Sequence, residues 1–305
     1  MTGKETKSRA AIYARITDRI VADLERGVRP WVQPWSAANG AGRITRPMRH
    51  NGLPYQGINV VLLWSEAVAR GFASPIWMTF KQALELGGNV RKGETATTVV
   101  YANRFTRTET DEHGDEVERA IPFLRAYSVF CVDQMDGLPE HFYGRPAAPA
   151  QRIAHADAFF ANTGAAIRHG GDKAFFAPSL DLIQIPPFES FRDPESYYAT
   201  LAHETVHWAG AEHRLNRDLS RYHSDRSERA REELIADLGA CFVSADLGIV
   251  PELEPRADHA SYLASWLAVL ANDKRFIFSA AAHAQRACAY LHGLQPQAET
   301  VPKAA

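Results

Sequence analysis

The stretch AHETVHWAG, residues 202–210, contains the spacing H-E-x-x-H, which places His203 and His207 four residues apart. In an α-helix, residues four apart lie on one face, so both imidazoles can reach a single Zn²⁺. Glu204 stands between them as the candidate general base for a water that attacks a substrate. The five-residue pattern also arises by chance, so the surrounding sequence decides whether it builds a metal site.

A third ligand is expected in the segment REELIAD, residues 231–237, which continues a second strong helical pattern. Glu233 is the candidate ligand, and Asp237, one turn later on the same face, is the candidate residue that orients a histidine. The adjacent Glu232 leaves the choice between the two glutamates open. Two histidines and one glutamate leave a fourth position free, as in catalytic zinc sites. This set of ligands predicts one metal ion per chain. Zn²⁺ is the expected ion, and Mn²⁺ and Fe²⁺ are the alternatives.

His213 competes with Glu233, because the longer pattern H-x-x-G-x-x-H runs from His207 through Gly210. Sites built on that pattern also carry a methionine turn downstream of it. All four methionines of this chain precede His203. The sequence therefore favours the set of two histidines and Glu233 and predicts that His213 does not bind the metal.

Two neighbouring segments fit a peptidase cleft. Tyr222 and His223 lie between the two metal-bearing helices and are candidate oxyanion stabilisers. The segment DLIQIPPF, residues 181–188, is predicted to be an edge strand that could pair with an extended peptide.

The length of the chain, its apolar runs and its cysteines indicate which class of protein it belongs to. The 305 residues are enough for two modest domains. The polar N-terminus resembles no signal peptide, and no apolar run approaches the roughly 20 residues that span a bilayer. The three cysteines lie far apart, which argues against a disulfide framework and against thiolate zinc. A cytoplasmic protein without a membrane partner is predicted.

The charge is unevenly distributed along the chain. Residues 1–107 hold 16 Lys and Arg against 7 Asp and Glu, whereas the remainder holds 18 against 29. Residues 26–49 hold five arginines, with Trp31 and Trp35 among them, and this combination suits single-stranded DNA, since cations follow phosphates while rings stack on bases. The candidate nucleic-acid contacts are Arg29, Trp31, Trp35, Arg43, Arg46, Arg49, Tyr55, Lys81, Arg91 and Lys92.

Periodicity predicts an α+β chain in two modules. Helices are expected over 8–27, 58–71 and 79–88, with Thr79 as an N-cap, and later over 194–210, 226–247, 258–272 and 275–292. Two β-rich runs, 95–105 and 121–130, predict a hairpin with a polar connection. The predicted domains are 1–143 for single-stranded DNA, a linker at 144–150, a mostly helical domain with the predicted metal site at 151–295 and a disordered tail at 296–305.

Taken together, these segments resemble the ArdC-type antirestriction proteins of conjugative plasmids. The N-terminal resemblance runs through LPYQGINVVLLW (53–64) and WMTFKQALELGGNVRKGE (77–94), and is shared with TraC-type plasmid primases. The C-terminal resemblance runs through YYATLAHETVHWAG (197–210) and the helix around REELIAD. The family usually has glutamate where this chain has Asp237, which keeps the carboxylate. Coverage extends from about Ala11 to Ala289.

The resemblance implies a protein that binds entering single-stranded plasmid DNA and protects it from host restriction, with a zincin-like metallopeptidase domain. One alternative is a dedicated metalloprotease that cleaves a specific regulator or a restriction component. The other is a single-stranded-DNA-binding protein whose metal is purely structural.

Overall fold

The computed structural model describes residues 3–26, 46–110, 116–143, 152–191, 193–249 and 259–296. The chain forms two compact units. Unit 1 comprises Met1–Asp23 and Pro47–Gly144, and unit 2 comprises Leu24–Arg46 and Arg145–Ala305. The predicted linker at 144–150 lies outside the described residues, as does all but the first residue of the predicted tail. The proposed domain boundaries therefore stay a prediction.

Unit 1 begins with α1 (Gly3–Glu25), in which Ile16 and Ile20 are buried at the predicted helical spacing. Next comes α2 (Ile58–Arg70), a mostly buried helix that stops at a left-handed Gly71. The short α3 (Phe80–Glu85) opens with the predicted cap, since the Thr79 side chain accepts from the backbone N–H of Gln82. Local capping chemistry thus sets where these helices end.

The strands of unit 1 form a four-stranded sheet in the order β1-β2-β5-β4 and a separate pair, β3-β6. In the larger sheet β1 and β2 are parallel, and β5 is antiparallel to β2 and β4. The strands are β1 (Met48–Arg49), β2 (Ile76–Met78), β3 (Asn89–Val90), β4 (Thr97–Thr110), β5 (Glu116–Cys131) and β6 (Met135–Asp136).

The hairpin predicted from the two β-rich runs is confirmed, and its strands are longer than expected. The sequence predicts a solvated connection over residues 106–120, but pairing continues to Thr110 opposite Glu116. Threonine recurs at every second position from Thr106 to Thr110, and a β-branched residue on alternate positions favours an extended strand.

Unit 2 contains a small sheet and five helices within its described residues. The sheet order is β7-β9-β8, with β7 parallel and β8 antiparallel to the central β9. The elements are α4 (Arg152–Asn162), β7 (Ala166–His169), β8 (Phe175–Ala177), β9 (Leu182–Ile185), α5 (Pro194–Ala209), α6 (Arg226–Leu247), α7 (His259–Asn272) and α8 (Phe276–Gly293). Both units mix helices and sheets, which confirms the α+β class.

The structure corrects the expectation of an edge strand at DLIQI. This segment is β9, which pairs on both sides and buries Ile183 and Ile185. The alternating apolar residues that predicted a strand suit a central position equally well, because alternation alone does not reveal how many neighbours a strand has. The edge strand that follows β7 in the chain is β8.

The helices α5 and α6 pack closely at Gly239. A Cβ built on this glycine would lie 2.8 Å and 2.9 Å from the two Cγ atoms of Val206, a separation that packed atoms do not tolerate. Glycine therefore lets the backbone of α6 approach α5 one residue away from His207. None of the helices in the described part of the chain combines the length and apolar character needed to cross a membrane.

We expect Gly239→Ala to destabilise the protein, because the new methyl group overlaps Val206. Overpacking costs about 1–3 kcal/mol, against about 1 kcal/mol gained from helix propensity. Adding Val206→Ala should remove the overlap, so that the double variant loses less free energy of unfolding than the two single variants together. Thermal unfolding of all three proteins measures this coupling.

Gly293→Ala is the matched control, since no atom lies within 4 Å of a Cβ built there. It should leave the free energy of unfolding within about 0.5 kcal/mol of the wild type. Additive effects of Gly239→Ala and Val206→Ala would show that the close packing does not constrain the helices.

Candidate metal centre

Two histidines from α5 and one glutamate from α6 bring their ligand atoms together. The Nε2 atoms of His203 and His207 are 3.2 Å apart. Glu233 places Oε2 at 3.3 Å from Nε2 of His203 and Oε1 at 3.6 Å from Nε2 of His207. The three predicted ligands therefore form one compact group in unit 2.

These separations fit a tetrahedral metal ion. Bonds of about 2.0–2.1 Å at tetrahedral angles place neighbouring ligand atoms about 3.3 Å apart. The distance between the two histidine nitrogens and the distance from His203 to Oε2 of Glu233 lie close to that value, and the other oxygen of Glu233, Oε1, is 3.6 Å from His207. The three predicted ligands among the described residues leave a fourth position for water or substrate. The donor set of two imidazoles and a carboxylate suits Zn²⁺, Mn²⁺ or Fe²⁺.

A buried ion pair behind the ligands orients His207. Glu232 accepts a hydrogen bond of 3.0 Å from Nδ1 of His207, which directs Nε2 towards the other ligands. Arg217 holds the same carboxylate with two hydrogen bonds, of 2.6 Å and 3.0 Å, and donates a third to the carbonyl of Val206. The sequence does not distinguish the two glutamates, but the structure does: Glu233 faces the ligand group and Glu232 supports it.

Arg217 reaches this position because residue 210 is glycine. A Cβ on Gly210 would lie 2.5 Å from a terminal nitrogen of Arg217. The backbone of Gly210 is helical, with φ of −74°, so its role is to leave space rather than to adopt an unusual conformation. The glycine of the longer histidine pattern therefore serves the Arg217–Glu232 pair.

His213 lies outside the ligand group. Its side chain is 63% exposed and pairs with Asp181 at 3.3 Å, beside Arg214. The glutamate set rather than the three-histidine set is thus the one whose atoms converge within the described residues. Asp237 is buried on α6, and its predicted role in orienting a histidine stays a prediction.

Charge within the site favours a cation. Burial alone would raise the pKa of Glu233, but hydrogen bonds from His203 and Tyr222 and the charge of His207 lower it to about 2. Burial alone would lower the pKa of His207, but Glu232 and Glu233 raise it to about 9. The cluster therefore stabilises a positive charge, whether a proton on histidine or a metal ion.

The ligands lie on the wall of a cleft of about 1350 Å³. Glu204 lines the cleft beside them, as a base on the attacking water requires. Residues of the edge strand β8, among them Phe175, line it as well. Phe175 lies on β8, one strand before the segment that the sequence predicts to be the edge, and no motif singles it out.

The two predicted oxyanion stabilisers also line the cleft, between α5 and α6. The Tyr222 hydroxyl donates to Oε1 of Glu233. Arg229 of α6 fixes this segment by donating to the carbonyls of Tyr222 and His223, at 3.0 Å and 3.1 Å. The segment that carries both residues is thus held at the cleft, and the oxyanion role of both stays a prediction.

The predicted nucleic-acid contacts do not form one group as the predicted metal ligands do. Four of them, Arg29, Trp31, Trp35 and Arg43, lie outside the described residues. Among the others, Lys81 and Lys92 are exposed, and Lys81 pairs with Glu85 at 3.5 Å. Lys92 therefore offers its charge to solvent on unit 1, whereas Lys81 is exposed but shares its charge with Glu85.

Three further candidates on unit 1 are engaged with neighbours. Arg49 lies over the ring of Tyr55, with 5.4 Å from the guanidinium carbon to the ring centre, and Tyr55 itself is buried. Arg91 pairs with Glu94 and Asp136, at 3.2 Å and 3.4 Å. A phosphate would have to compete with these contacts.

Arg46 belongs to unit 2 rather than unit 1. Its side chain is 6% exposed and pairs with Asp246 at 2.5 Å. It also donates to Gln285 at 2.7 Å and to Cys288 at 3.0 Å, and lies 5.0 Å from the ring centre of Phe242. These contacts join Arg46 to α6 and α8, which leaves its guanidinium little exposed to a phosphate.

Two parts of the chain match known protein families. Residues 10–130 match the N-terminal domain of the anti-restriction factor ArdC. Residues 154–283 match the zincin-like metallopeptidase family. The second match contains the three predicted ligands and Glu204.

The curated relatives that match this chain differ greatly in their own length. Uncharacterized protein y4eC of Sinorhizobium fredii is 40% identical over 98% of this chain and 97% of its own length. Two DNA primases TraC of Escherichia coli are 36% and 34% identical over about nine tenths of the chain, but the chain spans only 26% and 19% of their lengths.

Solved structures of the antirestriction protein ArdC from plasmid R388 match in both sequence and fold. The metal-free form is 44% identical, with a TM-score of 0.77 over 92% of this chain and 97% of that one. A Mn(II)-bound form is 43% identical over the same shares, with a TM-score of 0.74. The chain therefore belongs to the ArdC family of antirestriction proteins, which joins an ArdC N-terminal domain to a zincin-like metallopeptidase domain.

Proposed function

We propose that this protein binds single-stranded DNA through unit 1, protects incoming plasmid DNA from restriction, and carries a metal-dependent peptidase site in unit 2. The observation that carries the second part is the convergence of His203, His207 and Glu233 at 3.2–3.6 Å on a cleft wall, with Glu204 beside them. The ArdC relative solved with Mn(II) supports the expectation that this protein binds a divalent metal.

The residues of the cleft have distinct roles in this proposal. A divalent cation in the ligand set supplies Lewis-acid polarisation of a carbonyl and makes a water more acidic. Glu204 takes the proton of the attacking water and passes it to the leaving amine. Tyr222 and His223 stabilise the negative charge that develops on the carbonyl oxygen, for which the Tyr222 hydroxyl exchanges its hydrogen bond to Glu233 for one to that oxygen. The edge strand β8 pairs with an extended peptide across the cleft.

Binding of single-stranded DNA rests on unit 1. Residues 10–130 match the ArdC N-terminal domain, and the similarity to two proteins named DNA primase TraC covers about nine tenths of the chain. Residues 1–107 carry an excess of positive charge, and Lys92 exposes its charge to solvent. Such charges attract phosphates with an affinity that falls as salt rises.

A dedicated metalloprotease is the second candidate. The observation that favours it is that the predicted base Glu204 and the three predicted ligands line an open cleft, since a purely structural site is closed by four protein ligands. In that case a regulator or a restriction component is the substrate, and DNA only localises the protein.

We predict that the wild-type protein binds about one divalent ion per chain and that His203→Ala abolishes this binding. Glu232→Gln should weaken metal affinity about 10- to 100-fold, because a neutral amide orients His207 less firmly and no longer balances Arg217. Metal titration monitored by calorimetry measures both affinities.

His213→Ala is the control for these variants and should leave metal affinity unchanged. Full metal binding by Glu233→Ala, together with loss of metal in His213→Ala, would show that the ligand assignment is wrong.

Glu204→Ala separates the two candidate functions, because it removes the base and keeps the three ligands. We expect unchanged metal and DNA binding, peptide hydrolysis lower by at least about 10²-fold, and full protection of a plasmid transferred into a restricting host. Loss of protection with DNA binding intact would favour the dedicated protease instead.

For unit 1 we predict a preference for single strands in a gel shift with single- and double-stranded competitors. Lys92→Gln should weaken binding and make the slope of log K against log salt shallower by about 0.7, the share of one phosphate contact. Lys173→Gln, which removes an exposed lysine of unit 2, is the matched control. An affinity of the wild type that does not change with salt would contradict the proposal.

A further inference from the structure

One face of the β4–β5 hairpin presents aromatic side chains to solvent. The register pairs Tyr101 with Arg125, Asn103 with Phe123 and Val99 with Tyr127. Paired residues and residues two apart share a face in an antiparallel sheet, so these side chains lie together. We call the group Tyr101, Asn103, Phe123, Arg125 and Tyr127 the aromatic face.

The aromatic face begins where the core of unit 1 ends. Val99 and Val129, at the base of the hairpin on the same side, are buried. Beyond them Tyr101 is 46% exposed and Tyr127 44% exposed. The two rings therefore continue an apolar face past the point at which the unit covers it.

Contacts within the face hold its members in place. The rings of Tyr101 and Phe123 have centres 5.8 Å apart, and Asn103 donates a hydrogen bond of 2.6 Å to the hydroxyl of Tyr101. The guanidinium carbon of Arg125 lies 5.4 Å from the centre of the Phe123 ring. The face is thus partly organised in advance, which reduces the entropy lost when a ligand binds.

The charge on this face selects among ligands. Within the described stretches 99–103 and 123–129, its side chains include one cation, Arg125, and no carboxylate. A strip of rings with a cation beside it matches the bases and phosphates of a single strand. Two copies packed through this face would instead bring two Arg125 side chains together without an acid between them. A duplex keeps its bases stacked inside, where the rings cannot reach them.

We propose that the aromatic face is a stacking platform for single-stranded DNA, on which Tyr101 and Tyr127 stack on bases while Arg125 contacts phosphate. This inference rests on the proposed binding of single-stranded DNA by unit 1, and it adds the surface that carries out that binding. None of these residues belongs to the basic, tryptophan-rich segment from which the sequence predicts DNA binding.

The test compares two substitutions at each tyrosine in the full-length protein, with a fluorescent oligothymidine as probe. Tyr101→Leu and Tyr127→Leu keep apolar area but remove the ring, and each should weaken binding about 5- to 150-fold. Tyr101→Phe and Tyr127→Phe keep the ring and should bind within about twofold of the wild type. Arg125→Gln should make the salt slope shallower by about 0.7.

The outcomes separate this inference from the proposed function. If the wild type does not bind the probe, the proposed function and the platform both fail. If the wild type binds and the leucine variants bind equally well, only the platform is wrong. Weaker binding by the phenylalanine variants as well as the leucine variants would point to the hydroxyls and overturn stacking. Sedimentation of the wild type as a dimer that the leucine substitutions dissociate would assign the face to a second copy instead.

Discussion

The absence of a side chain at Gly239 allows α5 and α6 to approach closely enough for one helix to complete the ligand set of the other. His203 and His207 are on α5 and Glu233 is on α6, so their spacing depends on how these two helices pack. Val206 fills the space at Gly239, one residue from a ligand. Packing in the core therefore sets the geometry at the cleft wall, and the metal chemistry proposed for unit 2 depends on it.

Much of this arrangement is predictable because it is local. The spacing of His203 and His207 implies one face of one helix, and the periodicity around Glu233 implies a second helix. The helix ends follow from caps such as Thr79 and Asp225, whose side chains accept from the backbone within three residues. A hairpin is local as well, since its two strands adjoin in the chain.

The parts that sequence reasoning missed depend on contacts between distant residues. Arg217 and Glu232 are 15 residues apart, and only the fold reveals that one holds the other. Arg46 is a residue type that often contacts phosphate. Its partners Asp246 and Gln285, which lie 200 and 239 residues further along the chain, hold it in unit 2 instead. Whether Tyr101 and Tyr127 are core or surface depends on where neighbouring elements stop, and the alternation of a strand carries no such information.

The guanidinium of Arg217 occupies the space that a side chain at position 210 would fill. We therefore expect substitutions at the two positions to be linked among relatives. A side chain at position 210 would displace the guanidinium that holds Glu232. A relative with a larger residue at position 210 can keep this support only with a different or smaller side chain at position 217. The two positions should therefore change together among relatives, although neither residue contacts the metal ligands' donor atoms. A glycine that matches a metal-binding motif can thus be retained for a packing reason.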